Sequence, residues 1–232
     1  DYFKDKNVGL SLPSLKVDQQ LKILPELLTS VRKSGLTIAI EAADQQIRNI
    51  VNKPIKDSDL FPAVEAAFQQ GWQKIKLYFM VGLPGETEDD IKKIVKMSYD
   101  LGMLRKKYSK HPATINAAIS WLVPKPHTPL AWLGQKPQQY FFKAKEIILQ
   151  EKRNLRAGFI RFKFHDIRRS VLESAIGRGD ERLAKVIEHA FRSGARFDLW
   201  NEQFDYAIWE KAFKHFDMDI DSMAQKSFDT DD

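Results

Sequence analysis

Three short stretches of this sequence hold residues that could do chemistry together. The first is "LTIAIEA" (36–42), an apolar run that ends on a carboxylate, Glu41, with Arg48 one to two helical turns further on. A carboxylate at a strand end needs a hydrogen-bonding partner. It could take ribose hydroxyls or an amino group, or serve as an acid at a helix N-terminus. Arg48 could grip a carboxylate with its planar fork, or be surface charge. The second stretch is "YFMVGLPGET" (78–87), where Phe79 precedes Gly82 and Leu83. Glycine there permits either a tight turn or close approach of backbone to a ligand. The third is "VPKPHTPLAW" (123–132), where three prolines stiffen the backbone around Lys125 and His127. It reads as a rigid crossover loop, or as a holder for a catalytic imidazole or a substrate phosphate. The GxGxxG and Walker patterns of nucleotide binding are absent.

These loops need elements to hold them. "NVGLSLPSL" (7–15), "LTIAIEA" (36–42), "KIKLYFMVG" (74–82) and "TINAAISWLV" (114–123) read as strands, each followed by a helical pattern. Helices are expected from Asp18, over 45–51, from Ser58 to Gly71, from Thr87 with Asp90 as a capping box, and over 138–155. The near-continuous apolar character of the third strand predicts burial on both of its faces. Such alternation implies a parallel α/β sheet, barrel-like or doubly wound, and in either the site lies at the carboxyl ends of the strands. From a further strand at 158–165 onward the chain becomes mostly helical. A boundary is therefore expected near residue 157, giving domains 1–157 and 158–232.

Composition narrows the classes. The 232 residues are 43% hydrophobic, enough for a sizeable core. No apolar run reaches the roughly 18 residues of a membrane span and the first residues lack a signal-peptide core, so a cytoplasmic protein with no membrane partner is expected. The net charge of +6 favours anionic partners, RNA among them. The chain contains no cysteine, which removes disulfides and thiolate metal ligands from its own chemistry.

Taken in order, "SLPSLKVD", "IAIEAADQQIRNIVNK", "KIKLYFMVGLPGET" and "VPKPHTPLAW", with the C-terminal "FKFHDIRRSVLESAIGRGDERLAKVIEHAFRSGARFDLWNE", resemble radical S-adenosylmethionine (SAM) enzymes. The likeness is to an uncharacterised subfamily often found with a cobalamin (B12)-binding N-terminal region. It implies an α/β fold, a (β/α)6 partial TIM barrel of which this chain supplies strands three to six, with a helical C-terminal extension. It further implies an Fe–S oxidoreductase in which a [4Fe–4S] cluster cleaves bound SAM to a 5′-deoxyadenosyl radical, with cobalamin as a further cofactor of the full-length protein. The family's C-x3-C-x2-C cluster loop is missing here. The expectation is a C-terminal fragment, inactive alone; the alternative is a cluster-free binding or scaffold module, associated with RNA. By the resemblance, Ser11 and Ser14 lie at SAM contacts, Glu41 meets the ribose or methionyl amine, Arg48 the methionyl carboxylate, and Phe79, Gly82 and Leu83 the adenine. "EAADQQ" stands where relatives commonly have "EAGS". A fragment without its first strands would expose 7–15 as an edge, and self-association is expected.

Overall fold

The computed structural model describes residues 35–229. Ser11, Ser14, the strand read over 7–15 with its exposed edge, and the helix from Asp18 lie outside the described residues. Contacts divide the chain into two compact units, residues 35–120 with Ala144–Phe164, and Trp121–Lys143 with residues 165–229.

The first unit is built on four strands, β1 (Leu36–Glu41), β2 (Lys74–Val81), β3 (Thr114–Trp121) and β4 (Ile160–Phe164), in the spatial order β1-β2-β3-β4. β1 runs parallel to β2 and β3 to β4. β2 and β3 start together, where the Thr114 N–H donates to Gln73 O at 3.0 Å, and end together, where Ser120 Oγ donates to Phe79 O at 3.1 Å. Neighbours in space are thus neighbours in sequence throughout. That order builds a stretch of barrel wall, whereas a doubly wound sheet reverses direction at a switch point. The expected α/β partial barrel is what forms. β4 falls in the stretch 158–165, read from sequence as the opening of the helical extension, and it completes the sheet beside β3.

Between the strands run α1 (Gln45–Ile50), α2 (Asp57–Gln69), α3 (Glu88–Leu104) and α4 (Gln138–Asn154). α3 starts at the expected capping box: Thr87 Oγ1 accepts from the Asp90 N–H, and Asp90 accepts from the Thr87 N–H at 3.0 Å. Ile91, Ile94, Val95 and Leu101 turn its apolar stripe inward. Gly102 lies where α3 crosses β3; a Cβ there would sit 3.1 Å from the Ile115 side chain and closer still to Phe159.

β2 corrects one expectation. Its residues alternate between Ile75, Leu77, Phe79 and Val81, all buried, and Lys74 and Lys76, exposed, with Tyr78 and Met80 half-buried. The strand is therefore not buried on both faces. One face lies under the helix layer; the other belongs to the barrel interior, which polar side chains can line.

The second unit is helical, with α5 (Ile167–Gly177), α6 (Leu183–Arg192), α7 (Tyr206–His215) and α8 (Ile220–Gln225). Leu172, Val186, Ala190, Trp209, Phe213 and Ile220 are among its shared core residues. The loop carrying "PKPHTP" belongs to this unit. Lys125 pairs with Glu173, Thr128 Oγ1 donates to Lys125 O at 2.7 Å, and His127 takes a left-handed φ of 61°. Burial pushes the Tyr206 hydroxyl well above its usual pKa, and Asp221 reinforces this.

Candidate functional site

The carboxyl ends of β1 and β2 sit side by side, and the loops that follow them are joined through specific contacts. β1 and β2 pair in register from Leu36↔Ile75 to Ala39↔Tyr78, and then the register slips so that Glu41 lies opposite Phe79. The irregularity coincides with a φ of 70° at Glu41. A side chain with a Cβ in this region costs about 1–2 kcal/mol, and such conformations cluster at functional sites. The slip turns the Glu41 carboxylate out at the end of the strand. It keeps 27% of its surface and, among the described residues, takes one partner, Lys53 Nζ, at 3.3 Å. Lys53 is held in turn by its N–H, which donates to Arg48 O at 2.8 Å.

Arg48 is fully buried. Its Nε donates to Ile55 O at 2.8 Å, and its Nη1 to Ala42 O at 2.8 Å and Ala43 O at 2.7 Å. Its Nη2 meets Gln45 Oε1 at 3.0 Å and the Asp57 carboxylate. A guanidinium has five N–H donors in one plane, and here protein acceptors take them all. Arg48 is thus a buckle that closes the loop from Glu41 to Asp57 around α1. Asp44, at the departure from "EAGS", caps α1 by accepting from the Gln46 N–H at 2.8 Å and the Ile47 N–H at 3.4 Å. Its carboxyl is held below the usual range, chiefly by a hydrogen bond from Lys93 at 2.7 Å. Lys93 also reaches Asp90 at 2.8 Å, and the two acids raise its pKa.

The second loop turns at Gly82, with φ 100°, and Gly85, with φ 76°. Both need the left-handed region that only glycine enters freely. The turn aims successive N–H groups, those of Gly82 and Leu83, at one point, a small anion-binding nest. Glu86 fills it from within the loop: its carboxylate accepts from Gly82 N and from Leu83 N, the latter at 3.2 Å. Phe79 and Leu83 are buried beneath. Gly85 faces α1, with the Ile50 and Ile47 side chains 3.7 and 3.8 Å from where its Cβ would lie.

The structure therefore brings Glu41, Phe79, Gly82 and Leu83 to one end of the sheet, and gives Arg48 the work of holding the loop that presents Glu41. Sequence reading assigned no role to Lys53, Glu86 or Asp44. The signals were present: "NK" stands within a turn of Arg48, and an acid four residues after Gly82 can fold back onto its own turn.

The stretch that carries these residues is similar to a known superfamily. Residues 2–98 match the Radical SAM superfamily. The superfamily read from the loops is borne out, and the matched stretch contains Ser11, Ser14, Glu41, Arg48, Phe79, Gly82 and Leu83. The chain is also similar to an uncharacterized protein of Methanocaldococcus jannaschii, 27% identical over 190 residues, which is 82% of this chain and 39% of that protein. The chain thus spans about two fifths of the length of that curated relative.

Radical SAM chemistry uses an iron–sulfur cluster held by cysteine thiolates. This chain has no cysteine, and among the described residues no group of three or more His, Asp or Glu could hold a metal ion. Its described side chains do not fit a cluster. No helix among the described residues is long and apolar enough to cross a membrane.

Proposed function

We propose that this chain is the SAM-binding part of a radical SAM enzyme, with the nucleoside end of SAM bound at the carboxyl ends of β1 and β2. One observation carries the reading: within a stretch that matches the Radical SAM superfamily, Glu41 is turned out by a left-handed residue beside the glycine-marked end of β2. Such a carboxylate, anchored on one side by Lys53, keeps acceptor capacity for ribose hydroxyls or the methionyl ammonium. Phe79 and Leu83, buried beneath the turn, hold it in place, and the Gly82 turn lets backbone approach the adenine. Arg48 serves by fixing Ala42 and Ala43, and with them the direction of Glu41. The cluster ligands come from outside this sequence; bound to that cluster, SAM would supply the 5′-deoxyadenosyl radical of the superfamily. Cobalamin, in the full-length protein, is part of the same proposal.

Calorimetric titration of the chain with SAM tests the site. Saturable binding is expected, weakened about tenfold or more in Glu41→Gln, because a hydrogen bond to a charged group contributes roughly 1.5–3 kcal/mol. Equal affinity in the two proteins would refute the assignment of Glu41.

A further inference from the structure

The second face of the sheet carries charge that the SAM site does not use. The cross-strand register places Lys76 beside Thr37 and Asn116 beside Arg161, and the bond from Thr114 N to Gln73 O sets Asn116 next to Lys76. Lys76, Asn116 and Arg161 therefore form one row across β2, β3 and β4. In the next row Lys163 stands beside Ala118. Lys76, Arg161 and Lys163 are exposed, and none has a carboxylate partner among the described residues; Lys76 makes a single contact, with the Tyr78 ring at 4.8 Å. The four strands together hold just one carboxylate, Glu41, and it is already paired with Lys53.

Adjacent strands lie about 4.8 Å apart, so β2 and β4 stand roughly 10 Å apart across β3. The positions between them, Asn116 and Ala118, are short, leaving room above β3 for the long cationic side chains to converge. Three cations gathered without counter-charge among the described residues repel one another, and the arrangement is stable in company with an anion. A single carboxylate would neutralise one of them, whereas a phosphate monoester brings a charge of about −1.5 to −2 and enough oxygens for a guanidinium fork and two ammonium groups.

We infer that the substrate of this enzyme carries a phosphate group, held on the inner face of the sheet by Lys76, Arg161 and Lys163. That there is a substrate here rests on the radical SAM reading; that the face binds phosphate does not. Asn116 adds an amide donor between the cations, and the half-buried Tyr78 offers a ring beside them for the body of the molecule.

Titration of the chain with inorganic pyrophosphate at low ionic strength tests the inference. Saturable binding is expected in the parent. It should weaken about tenfold or more in Arg161→Gln/Lys163→Gln and stay within about twofold in Lys106→Gln/Lys110→Gln, which removes the same charge elsewhere on the surface. SAM affinity and the thermal midpoint should be the same in all three proteins. Absence of saturable binding, or equal loss in the control pair, overturns the inference. So does a short oligoribonucleotide that displaces pyrophosphate and binds the parent far more tightly, since the face would then read nucleic acid. Loss of SAM binding in the parent with pyrophosphate binding intact would reject the SAM site and leave the anion face standing.

Discussion

Arg48 is shut off from solvent while the side chain of its ion-pair partner, Asp57, keeps half of its surface. The pair joins the start of α2 to the middle of α1, so one guanidinium closes the loop that leaves β1. Truncation would strand the carbonyls of Ala42, Ala43 and Ile55 together with the Asp57 carboxylate. Leaving buried acceptors unpaired costs about 1–3 kcal/mol, and the half-exposed Asp57 adds little to this. Arg48→Ala should lower the unfolding free energy by roughly that amount in a urea titration. Arg48→Lys should rescue little, since an ammonium cannot span acceptors on both sides of the loop. Wild-type stability in Arg48→Ala would show that the guanidinium is no buckle, and would return it to the role of a ligand group.

The left-handed backbone at Glu41 separates stability from binding. Glycine relieves the conformational cost, so Glu41→Gly should be as stable as the parent or up to about 1 kcal/mol more stable. The same change removes the carboxylate, and SAM binding should fall about tenfold or more. A residue kept only for packing would behave differently, with both measurements moving together. Thermal unfolding and SAM titration of the one variant distinguish these outcomes.

How much of this was legible in the sequence depended on what each residue was asked to reveal. The barrel order, the capping box at Thr87 and Asp90 and the glycine turn at Gly82 follow from local rules, and the chain obeys them. Arg48 was misleading because a guanidinium that clamps backbone and one that clamps a ligand share the same residue type and spacing; only the positions of the carbonyls separate the two. β2 was misread for the opposite reason. Leu77 to Val81 is continuously apolar in letters, yet Tyr78 and Met80 are half-buried residues on the interior face, in line with Lys74 and Lys76. The row from Lys76 through Asn116 to Arg161 could not be read in advance, because it depends on the register between strands whose connecting segments differ in length.

Asp44 predicts an acid limb. Its carboxyl lies below the usual 3.8, mainly through the hydrogen bond from Lys93, so the folded chain favours the ionised form. The stabilisation is therefore complete above about pH 4 and is lost as the pH falls through the folded value. An asparagine at this position would still cap α1 but could not titrate. In Asp44→Asn, stability at neutral pH should drop modestly, and the gap from the parent should close as the pH falls from about 4 through the folded value. A gap of constant size across that window would mean that the Lys93 contact contributes nothing to folding.

The last prediction concerns iron. A radical SAM protein purified without its cluster takes one up when supplied with iron and sulfide, because thiolates replace weaker ligands around the metal. This chain has none to offer. After anaerobic reconstitution and desalting, the chain alone should retain iron and sulfide at background level and show no sulfur-to-iron charge-transfer absorption. SAM added to it should be recovered uncleaved in the presence of dithionite. The SAM titration should nevertheless succeed, because Glu41, Phe79 and the Gly82 turn are positioned by the fold and not by metal. Stoichiometric iron and sulfide would require ligands that are neither cysteine nor any described cluster of His, Asp and Glu, and would remove the premise that the cluster is supplied from outside this sequence.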